Sequence, residues 1–274
     1  MIPVAFDYEL ATSAEHALSL LAEHGDDAKV LAGGHSLIPL MKYRLATPAV
    51  VVDVGRLSDL SYVREDGDHL AIGALTRHRD VEVSDLVVAN AALLAEATRN
   101  VGDPQVRHRG TIGGALAHGD PASDIPAAVL ALRGTLVVQG PSGTREVAVD
   151  DFFTGFLETA LAPDELLTEV RIPRVPDARW SFQKFNRRAQ DWAIVGAAVL
   201  VAEGNCGVGL VNMDARPVRA VAVEAAVKSG ASAADAAEAA PEGLEPPGDL
   251  NASPEYRCHL AQVLTRRGLE QAGR

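Results

Sequence analysis

The sequence predicts an α+β fold in two parts, and three observations carry that prediction. Short runs rich in Val, Ile and Leu alternate with segments of helical period, the pattern of packed sheets and helices. Two glycine pairs, Gly33-Gly34 in VLAGGHSLIPL and Gly113-Gly114 in TIGGALAHGDPASD, each stand directly behind an apolar run. A stretch with two prolines, VRIPRVPDARW, marks a boundary near 173–180.

The elements follow in order. Ser13, two residues before Glu15, is a good N-cap for a helix with Leu18, Leu21 and Ala22 at helical spacing, and Gly25 supplies its stop. AKVLAG reads as a short buried strand entering the first glycine loop. PAVVVDV (48–54) is a second strand, and HLAIGAL (69–75) a third after the Asp66-Gly67 turn. NAALLAEATR (90–99) and AAVLAL (127–132) have helical period, the latter ending at Gly134 before the strand TLVVQG, and LLTEVRI is strand-like. Beyond the boundary, 192–204 and 208–213 read as strands around a Gly-Asn turn, and RPVRAVAVEAAV as strand or loop into helix. Residues 231–249 predict one short helix and a mobile connection. The closing helix, ASPEYRCHLAQVLTRRGL, has Ser253 as N-cap and Pro254 at its first position, with Leu260, Val263 and Leu264 on one face. There is no internal repeat.

Composition narrows the function. At 274 residues and 47% hydrophobic content the chain can bury a sizeable core, built from small aliphatic residues because aromatics make up only 4%. A net charge of −12 argues against nucleic-acid or anionic-membrane partners. An anionic ligand then has to be held by local N–H donors and helix ends. Cys206 and Cys258 are far apart and no ligand cluster accompanies them, so neither an iron–sulfur nor a zinc site is expected in this chain. Two buried thiols in a reducing compartment are the expectation. The N-terminal MIPVAFDYELATSAEHAL lacks the basic and long apolar regions of a signal peptide, and no apolar run approaches the ~20 residues of a membrane span. The sequence predicts a cytoplasmic protein.

Glycine permits a left-handed turn and lets a ligand approach main-chain N–H groups, and consecutive N–H groups make an anion nest. Two such loops, each with a hydroxyl neighbour (Ser36 and Thr111), suit a ligand with two linked phosphates, hence a dinucleotide. Neither pair has the G-x-G-x-x-G spacing of a Rossmann unit, and that fold is rejected. Taken singly, either pair also fits an ordinary strand-to-helix turn.

Five ordered segments carry a resemblance: AGGHSLIPLMKYRLATP, VRHRGTIGGALAHGDPASD, LAPDELLTEVRIP, KFNRRAQDWAIVGAAV and ASPEYRCHLAQVLTRR. Together they resemble the FAD-binding medium subunit of the molybdenum hydroxylases, the family of carbon monoxide dehydrogenase and of the flavin domain of xanthine dehydrogenase. The resemblance implies a two-subdomain FAD-binding domain of the vanillyl-alcohol-oxidase/PCMH type over 1–175, divided at about 55 into 1–55 and 56–175. A smaller α+β C-terminal domain of antiparallel strands and helices follows over 176–274. It further implies an electron relay. A molybdopterin cofactor in a large subunit oxidises the substrate, [2Fe-2S] clusters in a small subunit pass electrons to FAD, and FAD delivers them to an external acceptor. A dimer of such heterotrimers is the implied assembly. No nucleophile–base arrangement stands out in the sequence, and a relay needs none. A self-contained flavin oxidoreductase and a flavin-free assembly protein are the alternatives.

By the same resemblance, Ala32, Gly33, Gly34, His35 and Ser36 hold the pyrophosphate together with Thr111, Ile112, Gly113, Gly114 and Ala115. The family commonly has Asn where Ala115 stands, so one side-chain hydrogen bond is absent here. Asp124 corresponds to an acidic residue on the flavin's sugar-like portion, and a helix cap is its plainer role. Leu167 resembles a position packed beside the isoalloxazine, with core packing as the alternative. Lys184 matches a lysine near the ring, where a cation would stabilise anionic reduced flavin, and Asp191 and Trp192 lie in the motif that follows. Arg107 and Arg109 either brace the second loop or meet a partner. His78, His108 and His118 show no helical i, i+4 pairing and no neighbouring cysteine, so no metal is expected.

Overall fold

The computed structural model describes residues 1–202 and 205–273. It begins with a parallel sheet of β1 (Asp7–Leu10), β2 (Ala28–Leu31) and β3 (Val50–Asp53), in the order β1-β3-β2. The central strand is the most apolar of the three, with Val50, Val51 and Val52 buried. Strand β1, DYEL, is largely exposed and so carries no apolar period to betray it. The helix Ala14–His24 covers this sheet. Ser13 caps it as expected, its hydroxyl accepting the His16 N–H at 3.1 Å. Its buried face is Ala14, Ala17, Leu20 and Leu21, whereas Leu18 is half-buried and Ala22 exposed.

The second sheet is antiparallel. It contains β4 (Val63–Asp66), β5 (His69–Gly73), β6 (Thr135–Gly140), β7 (Gly143–Ala148) and, after the small hairpin of β8 (Phe153–Gly155) and β9 (Glu158–Thr159), β10 (Leu166–Pro173). The order β4-β5-β10-β6-β7 leaves room between β5 and β6 for a run of helices that includes Ile112–His118 and Asp124–Ala131. The helix expected over 90–99 is Ala92–Arg99, and a separate helix, Asp85–Asn90, precedes it. They are separated at Ala91, whose φ of −149° and ψ of 51° are not helical.

The third sheet runs β11 (Arg179–Phe185), β12 (Val195–Ala202), β13 (Asn205–Val211) and β14 (Val218–Arg219), all antiparallel. Strand β11 was not foreseen, because it begins inside the boundary segment. The strand expected from 192 starts only at Val195. Of the Gly-Asn turn expected between the next two strands, Gly204 lies outside the described residues, and Asn205 is the first residue of β13. The helix Asp124–Ala131 is buried along its whole length and packs against β13. Gly207 and Gly209 make that approach possible, since a Cβ on either would collide with the carbonyls of Ala131 and Ala127. A helix apolar on every side is what a layer between two sheets requires. The closing helix, Pro254–Gln271, has Ser253 at its cap and buries Leu260, Ala261, Leu264 and Leu269, while Val263 is only half-buried. Cys206 is buried and Cys258 only partly so.

Candidate functional site

The two glycine loops meet where the first and second sheets adjoin. The segment 32–36 links β2 to the helix Leu37–Lys42, and Gly34 takes a left-handed φ of +81°. Among the described residues, the main-chain N–H groups of Gly33, Gly34, His35 and Ser36 donate to no group of the chain. Gly33 lies flat on the second loop, where a Cβ would run into the Arg109 carbonyl, and the Ala32 methyl sits near Gly114. The structure thus brings 32–36 and 111–115 together. His35 is exposed.

The second loop works differently from the nest expected of it. Thr111 caps the helix Ile112–His118, its hydroxyl accepting the Gly114 N–H at 3.1 Å. The N–H groups of Ile112, Gly113 and Ala115 donate to the carbonyls of Thr76 (3.1 Å), Ala74 (2.9 Å) and Thr111 (3.0 Å). The donors of 112–115 are therefore engaged within the chain. Gly113 is needed for close approach instead, because a Cβ there would strike Ala74. Ala115 is half-buried and packs against the central core.

A residue the sequence reading passed over ties the loops together. Arg77 donates to the Arg109 carbonyl at 2.5 Å and to the Gly55 carbonyl at 3.4 Å, reaching from the second sheet's helices to the end of β3. A cavity of about 230 Å³ lies here, lined by Ala32, Gly33, Asp53, Arg56, Arg77 and Arg109. The signal was the RHR of LTRHRD, whose arginines have no periodic role. The next residue, His78, is 5% exposed and donates its N–H to the Gly110 carbonyl at 2.9 Å. Burial, reinforced by nearby cationic side chains, pushes its imidazole down to about 4, so it is neutral near pH 7. No group of three or more His, Cys, Asp or Glu converges among the described residues.

Asp124 and Lys184 are brought together more closely than the sequence suggested. Asp124 opens the helix Asp124–Ala131, with Ser123 rather than Asp124 at the cap position, and Lys184 projects from β11. The Lys184 ammonium lies 2.7 Å from Asp124 Oδ2 and donates to the Asn100 carbonyl at 2.9 Å. The other carboxylate oxygen, Oδ1, is buried and has no partner among the described residues. Burial pushes the Asp124 carboxyl up to about 6, against the pull of Lys184. An orphaned acceptor of this kind suits a hydroxyl-bearing ligand. Leu167, by contrast, is 5% exposed on β10 in the same core as Ile112 and Leu116, and it lines neither the cavity beside Arg77 nor the larger one described next.

A larger cavity, about 490 Å³, opens between segment 120–122 and the third sheet, with Phe156, Arg187, Asp191 and Trp192 along it. Trp192 is 60% exposed, while Ala193 and Ile194 behind it are buried. Asn212, left-handed at φ +60°, donates its N–H to the Pro121 carbonyl at 2.7 Å and its amide to the Ala193 carbonyl at 3.0 Å. The fully buried Arg257 donates to the Ile194 carbonyl and pairs with Asp249 at 2.9 Å.

A glycine loop with free donors, a second loop whose donors are engaged within the chain, and an orphaned buried carboxylate are features that suit a dinucleotide held outside the Rossmann class. Comparison with known proteins supplies the family. Residues 4–175 match the FAD binding domain in molybdopterin dehydrogenase, and residues 180–272 match the CO dehydrogenase flavoprotein C-terminal domain. The chain belongs to this family of flavoprotein subunits of molybdenum-dependent oxidoreductases. It is 38% identical to the carbon monoxide dehydrogenase medium chain of Hydrogenophaga pseudoflava, covering 99% of this chain and 98% of that one. It is 37% identical to the 6-hydroxypseudooxynicotine dehydrogenase complex subunit alpha of Paenarthrobacter nicotinovorans, over 99% and 96%. Among solved structures, carbon monoxide dehydrogenase from Hydrogenophaga pseudoflava superposes with a TM-score of 0.96 at 40% identity, over 99% and 98% of the two chains. Quinoline 2-oxidoreductase from Pseudomonas putida 86 gives a TM-score of 0.91 at 31% identity, over 99% and 98%. No helix among the described residues is long and apolar enough to cross a membrane.

Proposed function

We propose that this chain is the FAD-carrying electron-transfer subunit of a cytoplasmic molybdenum hydroxylase, receiving electrons from [2Fe-2S] clusters of a small subunit and passing them to an external acceptor. A large subunit holds the molybdopterin cofactor, and the assembly is a dimer of heterotrimers. The observation that carries the reading is the set of four free main-chain donors at 33–36, and the orphaned Oδ1 of Asp124 supports it. The donors suit a pyrophosphate and the carboxylate suits a polyhydroxyl chain, which are successive parts of one FAD molecule.

In this reading the residues divide the work. The first loop, Ala32, Gly33, Gly34, His35 and Ser36, binds phosphate oxygens. Thr111, Ile112, Gly113, Gly114 and Ala115 form the rigid wall against which that loop closes. Asp124 accepts from a hydroxyl, and Lys184 holds Asp124 in place while contributing a positive charge toward the ring. Leu167 supports the site from the core. Residues of the cavity beside Trp192 would hold the flavin ring. Bound FAD supplies redox chemistry that no side chain offers, and the protein's part is to bind, orient and tune it. We assign the cofactor unit to 1–175 and the C-terminal unit to 176–274.

The test is to express the chain with the subunits encoded beside it, purify the assembly and record its visible spectrum. Bound flavin together with iron–sulfur and molybdenum content is the expected result. A folded assembly without flavin refutes the reading, and substrate turnover by the isolated flavin-loaded chain favours a self-contained oxidoreductase.

A further inference from the structure

We propose that Asn212 and Arg257 are positioning residues that fix the Trp192 indole at the wall of the interdomain cavity; the proposal rests on the reading that the flavin ring lies there. Trp192 is 60% exposed in a chain with only two tryptophans, yet the two residues after it are 2% and 7% exposed. The peptide units directly behind the ring are thus buried while the ring stands free. Both are held by side chains distant in sequence. The Asn212 amide donates to the Ala193 carbonyl at 3.0 Å, and the Arg257 guanidinium donates to the carbonyl of Ile194. The Ile194 N–H completes the set by donating to Phe185 at 2.8 Å.

Neither holding residue is an economical choice for simple packing. Arg257 is a fully buried guanidinium whose Nε has no partner among the described residues, and its ion-pair partner Asp249 has a 43% exposed side chain. Burying such a group is unfavourable unless it is paired and hydrogen-bonded, and here the Ile194 carbonyl and Asp249 are what offset that cost. Asn212 occupies left-handed backbone that a non-glycine residue adopts at a cost, though Asn tolerates it better than most. That conformation lets one residue reach two walls at once, because its main-chain N–H donates to Pro121 at 2.7 Å in the segment leading to Asp124. Asn212 therefore sets the separation of Trp192 from segment 120–122. An exposed indole at a cavity wall, carried on backbone that is itself held from behind, offers a stacking surface for a planar ligand.

The test uses the full chain carrying Trp180→Phe, so that Trp192 is the sole fluorophore of its kind. Asn212→Gly keeps the left-handed backbone and the N–H to Pro121 but removes the amide. It is expected to lower Trp192 fluorescence anisotropy, raise its quenching by acrylamide and weaken FAD binding about tenfold, with the far-UV circular dichroism unchanged. Arg257→Lys, which keeps the charge but not the planar fork, is expected to move the same readouts in the same direction. If Asn212→Gly leaves Trp192 anisotropy and FAD affinity at their starting values while Trp192→Ala weakens FAD binding, the positioning role is overturned and the ring placement stands. If Trp192→Ala leaves FAD affinity and the visible flavin spectrum unchanged, the ring placement itself fails, and the positioning role with it.

Discussion

Lys184 and Asp124 form a buried ion pair of 2.7 Å that joins the third sheet to the helix lying between the sheets. Their side chains are only 7% and 6% exposed. Removing one member of such a pair leaves an uncompensated charge, at a cost of about 3–5 kcal/mol. Lys184→Met is therefore expected to lower the unfolding free energy of the flavin-free chain by about that amount in urea titrations. The double variant Asp124→Asn/Lys184→Met should recover much of the loss, since no buried charge is then stranded. A Lys184→Met protein as stable as the parent contradicts the buried pairing.

Two buried groups set opposing pH dependences over one window. The Asp124 carboxyl, raised from 3.8 to about 6, binds protons preferentially in the folded state, so its contribution to stability falls as pH rises from about 4 to about 6. The His78 imidazole, lowered from 6.5 to about 4, stays neutral in the folded state, so its contribution rises over about 4 to 6.5. At 1.36 kcal/mol per pKa unit each amounts to about 3 kcal/mol, with opposite sign. Asp124→Asn should consequently expose the His78 slope, its stability climbing by about 3 kcal/mol between pH 4 and 6.5 beyond the parent's change. Equal pH profiles for variant and parent would refute this balance.

Gly33→Ala is expected to separate the glycine loops, because the new methyl group runs into the Arg109 carbonyl, which is backbone and cannot swing aside. FAD affinity should fall more than tenfold, read from the flavin-to-protein absorbance ratio after dialysis. Gly114→Val should also lose flavin, by a different route. A Cβ there lies 2.7 Å from the Thr111 hydroxyl and disrupts the helix cap, so thermal stability drops alongside occupancy.

Ala115→Asn introduces the side chain that the resemblance places at this position. Ala115 is only half-buried, so the amide has room, and one added hydrogen bond is worth about 0.5–1.5 kcal/mol. FAD affinity should rise roughly two- to tenfold with little change in the stability of the flavin-free chain. Calorimetric titration with FAD checks this, and a weakened affinity would show that Ala115 packs against the ligand.

Much of the fold was legible because local chemistry and tertiary position agree. Ser13, Ser253 and Pro254 marked helix starts, and the valine run at 50–52 marked a strand buried at the centre of a parallel sheet. Strand β1 was not legible, since DYEL pairs through its backbone and keeps its charged side chains in solvent. Residues 192–194 looked like strand because they are apolar, but the Ala193 and Ile194 carbonyls bond to Asn212 and Arg257 instead of a ladder, a long-range fact that no local window contains. At the site, the glycine pairs were visible but their division of labour was not. Whether an N–H group is free depends on partners such as Thr76 and Ala74, which lie more than thirty residues upstream. Arg77 escaped notice for a similar reason, as its value lies in reaching two carbonyls that only the fold brings near it.

The unequal state of the two glycine loops has a consequence for how the empty protein receives its ligand. With the donors of 112–115 already satisfied, that wall is preorganised, and it has little configurational freedom left to lose. The loop at 33–36 holds four amides that only solvent can satisfy before a ligand arrives, so the ordering on binding concentrates there. Amide hydrogen exchange would then slow most at these four positions when FAD is added, while the opposite wall is protected from the outset.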